Sequence, residues 1–522
     1  MIALFIMLLS GEVHAKKPPE LRLDKGRPTG YELSLDLDPA ADQFSGTVRI
    51  SIELDEPSRS LWLHASGLEI ESASLLVAGE SRAVRVAQQE EQFALFKWRG
   101  KAEGSAVLTV AYTGSVEQEM PRGVFHREDE GNHYLFTQFE PESARAMVPS
   151  FDQPQFKVPW SLTIRVPDGS EAYANTPLLE RKDDGDHDIF VFERTLPLPT
   201  YLISVAAGPF DVVEGGTAGR AQTPIRYLVP KGDADQADWA VETTGPILIW
   251  LEDYFNQPYP YRKLDVVGIP NLVGFGAMEH PGLITFNSQI LLSEAQTDTI
   301  GRRRSYVTVQ AHELAHQWFG NLVTMEWWND IWLNEGFASW MANKAAGELH
   351  PEWQMEYTQV ARRASAMSSD SLESARQIRQ PIVNEGDIEI AFDSITYLKG
   401  QAVLQMFETW IGADAFQSGL QSYMVKHAHG TATTQDFLNA LEEAASAPVQ
   451  ESFSTFLDQP GLPLIHMELD CTDRPKIMLR QQRYLPSKAD AQGLWNLSVC
   501  VRTASKEPVC MLMRDRNAEL ML

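Results

Sequence analysis

A mixed α+β multidomain fold is predicted by a change of hydrophobic period along the chain. From Tyr31 to about Gly215, apolar and polar residues alternate in short runs such as Val48-Arg49-Ile50-Ser51-Ile52-Glu53-Leu54 and Leu162-Thr163-Ile164-Arg165-Val166, separated by Gly, Pro and Asp turns. Antiparallel strands with one buried face give that pattern. From about Ala221 onward a β segment yields to helical spacing, in Asp238 to Phe255, in the Pro-free run Arg302 to Leu322, and in Tyr397 to Ile411. A chain of 522 residues with 43% hydrophobic content is long enough for about two to four domains with a large core.

Charge narrows the partners. The net charge is −27, from 44 basic and 71 acidic residues, and the only basic cluster, Arg302-Arg303-Arg304, reads as the solvated start of a helix. Nothing here tracks a phosphate backbone, which argues against nucleic acid.

The segment from Met1 to Ala15 holds the apolar run Ile2 to Leu9 and then Val13-His14-Ala15 before Lys16-Lys17. It reads as a secretory signal peptide without the usual positive n-region, so a start further upstream, a disordered N-terminus and a membrane anchor stay open. The expected location is secreted or periplasmic, with membrane association through this segment as the alternative. No later apolar run approaches the ~18 residues that a spanning helix needs.

Three cysteines occur, Cys471, Cys500 and Cys510. The last two lie in alternating runs, Trp495 to Val501 and Val509 to Met513, joined by a polar turn through Lys506-Glu507-Pro508, and a cross-strand disulfide between them is expected. None of the three is a plausible nucleophile or zinc ligand.

The chemistry centres on His312-Glu313-Leu314-Ala315-His316. Two histidines one helical turn apart leave the same face and can share one tetrahedral Zn²⁺ ion. Glu335 follows His316 after eighteen intervening residues, in a second amphipathic run, Trp332 to Met341, that could pack on the first helix and supply the third ligand. Two His and one Glu leave a coordination corner open, as in catalytic rather than structural zinc sites. Glu313 would then point beside the metal, where it can take a proton from the attacking water. An isolated HExxH also arises as an ordinary helix face, so the neighbouring residues decide.

Those neighbours read His312-Glu313-Leu314-Ala315-His316-Gln317-Trp318-Phe319-Gly320-Asn321, then Trp327-Trp328-Asn329-Asp330-Ile331-Trp332-Leu333-Asn334-Glu335-Gly336-Phe337-Ala338. The stretch resembles the aminopeptidase N family of gluzincin zinc metallopeptidases. Gly276-Ala277-Met278-Glu279-His280 is similar to that family's Gly-x-Met-Glu-Asn signature, with His280 in place of Asn. Tyr397-Leu398-Lys399-Gly400 resembles its Tyr-x-Lys-Gly motif, and Thr137-Gln138-Phe139-Glu140-Pro141 its Thr-Gln-x-Glu-Ala segment, with Pro141 in place of Ala. Asp152-Gln153-Pro154 stands where the family shows Asp-Glu-Pro, which puts a local contact in doubt.

The resemblance implies an N-terminal antiparallel β saddle over 16–220, after a signal peptide over 1–15. A thermolysin-like α/β catalytic domain over 221–460 and a partial C-terminal β-sandwich over 461–522 would follow, with the family's helical C-terminal domain apparently absent. It also implies hydrolysis of the first peptide bond of peptides with a free N-terminus, using one Zn²⁺ per chain. His312, His316 and Glu335 would hold the metal, Glu313 would act as base, and Tyr397 would donate to the oxyanion. Gln138, Glu140 and Glu279 would hold the substrate's ammonium end, with Gly276, Ala277 and Met278 forming part of an edge strand, Asn271 to Pro281, that substrate approaches closely. Asp330 and Asn334 are expected to support the zinc-bearing helices. An epoxide hydrolase and a non-catalytic peptide-binding relative are the alternatives. The helix bearing Phe437, Leu438 and Leu441 should be capped by Thr433 or Thr434, and Gln459-Pro460-Gly461-Leu462-Pro463 reads as a linker.

Overall fold

The computed structural model describes residues 21–23, 25–294, 298–472, 474–486, 492–502 and 508–522. The expected signal peptide, and the Lys506-Glu507 part of the expected turn, lie outside them. Among the described residues, no helix is long and apolar enough to cross a membrane.

The alternating runs near the N-terminus form an eight-stranded sheet. Its strands run from edge to edge as Leu178–Asp183, His187–Phe192, Trp160–Pro167, Arg27–Asp36, Gln43–His64, Phe93–Ser115, Glu69–Val77 and Glu80–Gln89. Each neighbouring pair is antiparallel except Arg27–Asp36 with Trp160–Pro167, which is parallel. Alternation along Arg27–Asp36 buries Tyr31, Leu33 and Leu35 on one face, as a half-buried sheet requires. A four-stranded sheet, Gly123–Asp129, Asn132–Gln138, Val205–Gly208 and Glu171–Ala174, packs nearby. Its second strand ends at Gln138 and so delivers Gln138 and Glu140 to the next layer.

That layer begins with a five-stranded sheet in the order Asp211–Ala218, Thr223–Val229, Leu264–Ile269, Leu283–Asn287 and Ala277–Met278. The expected edge strand is present but short: only Ala277 and Met278 pair, antiparallel, with Phe286 and Thr285. Gly274 and Asn271 both take positive φ, and these turns bend the preceding residues away from the ladder.

Helices follow: α1 (Asp238–Phe255), α2 (Ser288–Leu291), α3 (Ile300–His316), α4 (Trp332–Leu349), α5 (Met355–Asp370), α6 (Glu385–Ile390), α7 (Gly400–Ile411), α8 (Ala413–His427), α9 (Thr434–Ala445) and α10 (Val449–Leu457). The first matches the expected span. Helix α3 is capped by the Thr299 side chain, which accepts from Arg302 N, and it stops at His316 rather than continuing to Leu322. The chain turns back there through Gly320, at φ +123°. Helix α4 is not amphipathic as expected but buried on nearly every side from Trp332 to Ala346, because it is the central helix of the main hydrophobic core. The Thr433 cap is observed, with Asp436 completing a reciprocal capping box.

Beyond the linker, Pro463–Asp470, Lys476–Arg483 and Asn517–Met521 form one small sheet, and Leu497–Val501 with Val509–Met513 another. Cys500 and Cys510 face each other across the second and are joined by a disulfide; Cys471 is free.

Candidate metal centre and cleft

The end of α3 and the start of α4 bring three donor atoms together. His312 Nε2 lies 3.0 Å from His316 Nε2, and Glu335 Oε2 lies 3.2 and 3.5 Å from the two rings. His316 Nδ1–H donates to the Phe319 carbonyl at 3.0 Å, which commits its Nε2 to this cluster. Two imidazoles and a carboxylate, with one ring fixed from behind by a carbonyl, suit Zn²⁺. The residues fit such an ion.

A cavity of about 390 Å³ opens over the cluster and is lined by Gln138, Glu140, Ala277, Met278, Glu279, His312, Glu313, His316, Glu335 and Tyr397. Gly276 lines an adjoining cavity, together with Ala277. One carboxylate oxygen each of Glu140, Glu279 and Glu335 fall within 4.8 Å of one another. Gln138 Oε1, Glu140 Oε1 and Glu279 Oε1 are buried acceptors without a hydrogen-bond donor among the described residues. Such acceptors are costly to bury and call for a cationic donor.

Burial dominates the electrostatics. It raises the Glu140, Glu279 and Glu313 carboxyls above the ordinary range, with neighbouring carboxylates pushing Glu140 further up and His316 pulling Glu279 and Glu313 back. Glu335 goes the other way: burial is outweighed by His316 and His312, which hold it as a carboxylate. Burial lowers His312, whereas for His316 the surrounding Glu279, Glu335 and Glu313 overcome burial and raise it. Tyr397 is kept a phenol, first by burial and then by Glu335.

Tyr397 sits in a wide π-helical turn, Ile395–Lys399, that leads directly into α7. Asp393 holds the turn by accepting from Ile395 N and Thr396 N and by pairing with Arg376. Lys399 donates to Asp370 and to the Gly461 carbonyl, tying the turn to α5 and the linker. The tyrosine ring lies 6.2 Å from that of His312, nearly parallel to it.

Two supports differ from expectation. Asp330 reaches neither imidazole; its carboxylate accepts from Thr434 N and Oγ1 and fastens the start of α9. Asn334 donates to Tyr201 Oη at 3.4 Å, not to a ring. The groups that hold the cleft are instead Gln317 and Asn321, whose side-chain amides donate to the Glu279 carbonyl at 2.9 and 2.7 Å. Both lie inside the motif that begins at His312, yet residue type alone does not show what an amide there bonds. Asp152 receives Arg145 at 2.9 Å and Thr200 at 2.6 Å, while Gln153 accepts from Leu23 N, so the Asp-Gln-Pro variation leaves the Arg145 contact in place.

Residues 239–456 match the family model described as peptidase family M1 domain, and residues 27–202 match the peptidase M1 N-terminal domain. Aminopeptidase M1-D of Oryza sativa subsp. japonica is 34% identical over 472 residues, 90% of this chain and 53% of that protein. Aminopeptidase M1 of Arabidopsis thaliana is 33% identical over 490 residues, 92% of this chain and 55% of that one. Glutamyl aminopeptidase of Sus scrofa is 34% identical over 461 residues, 84% and 48% respectively. The chain spans about half the length of the curated relatives it matches. With matches that cover both the β-rich N-terminal part and the helical part bearing the His-His-Glu cluster, this chain belongs to peptidase family M1, the aminopeptidase N family.

Proposed function

We propose that the protein is a zinc-dependent aminopeptidase that removes the first residue from peptides with a free N-terminus. The observation that carries this reading is the convergence of three buried acceptors without a hydrogen-bond donor among the described residues, on Gln138, Glu140 and Glu279, beside a His-His-Glu donor set.

In this reading His312, His316 and Glu335 hold one Zn²⁺. When bound, the ion supplies a Lewis acid and makes water nucleophilic near neutral pH. Glu140 and Glu279 receive the substrate's ammonium through charge-assisted hydrogen bonds, and Gln138 accepts beside them. Anchoring that end fixes how far the first peptide bond reaches into the cleft, which favours exopeptidase over endopeptidase cleavage. Ala277 and Met278, at the sheet edge, line the path of the substrate backbone, and Gly276 leaves room for it.

Glu313 takes the proton of the attacking water and passes it to the leaving amine. A carboxyl raised by burial is suited to hold that proton between the two steps. Tyr397 donates its phenolic proton to the developing oxyanion. The Cys500–Cys510 disulfide supports an exported protein working in an oxidising compartment.

The test is metal analysis of dialysed protein together with turnover of alanine p-nitroanilide by wild type and Glu313→Gln. About one zinc per chain, with activity abolished in a variant that still binds zinc, supports the reading. Full activity without metal, or undiminished activity of Glu313→Gln, overturns it.

A further inference from the structure

The cleft has a second lobe with a cationic far wall. A cavity of about 650 Å³ shares Ala277, His312, Glu313 and Tyr397 with the acidic lobe, but neither Glu140 nor Glu279 reaches it. Its far wall is one face of α5, where Thr358, Ala361, Arg362 and Ser365 fall at helical spacing. Its volume lies within the range of sites that accept a ligand of peptide size.

Arg362 is the charged group of that wall. Among the described residues it has no hydrogen-bond or ion-pair partner, although the protein carries a net charge of −27. Burial, and then the like charge of Arg304, push its guanidinium below the ordinary value. Arg304 itself donates to Thr358 Oγ1 at 2.8 Å and meets no carboxylate among the described residues. The other two arginines of the same triplet, Arg302 and Arg303, both pair with Asp298. Arg362 thus lines the cavity without a partner among the described residues, and Arg304 is bonded to the same wall through Thr358, so cationic charge lies along this lobe of a very acidic chain; a planar fork of donors suits a carboxylate.

We propose that this lobe receives a carboxylate on the leaving side of the scissile bond, held by Arg362 and favoured by the charge of Arg304. The inference rests on the aminopeptidase reading and adds a substrate class to it. A short peptide would be held as a zwitterion, its ammonium between Glu140 and Glu279 and its carboxylate at Arg362, with the bond to be cut over the shared wall of His312, Glu313 and Tyr397. The carboxylate can be the α-carboxylate of a di- or tripeptide, or the side chain of Asp or Glu after the cleaved bond.

Two matched pairs separate the sources: Ala-Ala-Ala against its C-terminal amide, and Ala-Glu-amide against Ala-Gln-amide. Release of alanine is followed for wild type, Arg362→Gln and Arg362→Lys. Wild type should favour the carboxylate member of at least one pair by roughly tenfold to a hundredfold in kcat/KM, mainly through KM. Arg362→Gln should bring that ratio close to one, and Arg362→Lys should keep part of it. A preference in the first pair assigns the α-carboxylate, and one in the second assigns the side chain. Equal rates within both pairs for wild type, or a preference that survives in Arg362→Gln, overturn the proposal. Calorimetric affinities of Glu313→Gln for the same pairs give the same ratios without turnover. Cleavage of the amides with no carboxylate preference therefore removes this inference alone, whereas carboxylate-selective binding with no turnover by wild type removes the aminopeptidase reading and leaves the site standing.

Discussion

His316 Nδ1 lies 3.0 Å from the carbonyl oxygen of Phe319, three residues further along the chain. That contact sets the tautomer, because an Nδ1–H that donates to the carbonyl leaves Nε2 free to accept a metal. The turn making it possible passes through Gly320, where a Cβ would come within 3.3 Å of His316 Nδ1 and 3.1 Å of Asn334 Nδ2. Gly320→Ala is therefore expected to weaken zinc binding roughly tenfold to a hundredfold, as loss of a ligand's supporting contact does. Competition with a chelator measures this, and an unchanged affinity would show that the ring is held without the turn.

Gly336 and Gly400 meet where α4 crosses the turn that carries Tyr397. A Cβ on Gly336 would stand 3.0 Å from the Thr396 carbonyl and 3.2 Å from Gly400 Cα. The side chain of Gly336→Ala must push that turn away from Glu335. Stability should fall by about 1–3 kcal/mol, and kcat should fall while KM changes little, because the displaced phenol is the group proposed to act on the transition state. A destabilised variant with normal kcat would speak against the role given to Tyr397.

Lys157, from the N-terminal β region, reaches across to the loop after α3. Its ammonium donates to the carbonyls of Asn321, Leu322 and Gly430 at 2.8, 2.9 and 3.1 Å. Asn321 in turn holds the backbone of Glu279. Lys157→Met leaves three carbonyls without their donor, and a loss of about 1–3 kcal/mol or more in unfolding free energy is expected, with a raised KM for free-amine substrates. Chemical denaturation and steady-state kinetics on the same preparation test both halves of the expectation.

His280 gives the molecule an acid limit. The ring is fully buried, its Nε2 has no partner among the described residues, and burial pushes its pKa down to about 3. An unfolded histidine titrates near 6.5. Between those two values the unfolded chain binds the extra proton, so stability falls as pH drops from about 6.5 toward about 3. The His280→Asn variant, with the residue typical of the family, should lose less stability over that window than wild type, by a few kcal/mol at its lower end. Parallel pH–denaturation curves for the two proteins would contradict this.

The sequence exposed the site more fully than its supports. The convergence of His312, His316 and Glu335 was readable because ligand chemistry demands particular residue types at fixed spacing, and Cys500 opposite Cys510 because strand alternation aligns them. The end of α3 at His316 was not, since no Pro marks it and the turn depends on one glycine's φ. The edge strand contracted to Ala277–Met278 because pairing is set by the neighbouring strand, which periodicity does not reveal. Asp330 and Asn334 found partners on α9 and on Tyr201, and Gln317 and Asn321 found the Glu279 carbonyl. Each of those bonds spans from 38 to 133 residues in sequence, and only the assembled fold sets such distances.

Recognition of a free α-ammonium beside the metal cluster is tested most directly by comparing kcat/KM for alanine p-nitroanilide and its N-acetyl derivative, in wild type and in Glu279→Gln. Acetylation removes the charge that Glu140 and Glu279 are proposed to hold, so wild type should cleave only the free amine. Glu279→Gln should lose at least roughly tenfold on that substrate, the scale of one charge-assisted hydrogen bond. Comparable cleavage of the acetylated substrate by wild type would contradict the account.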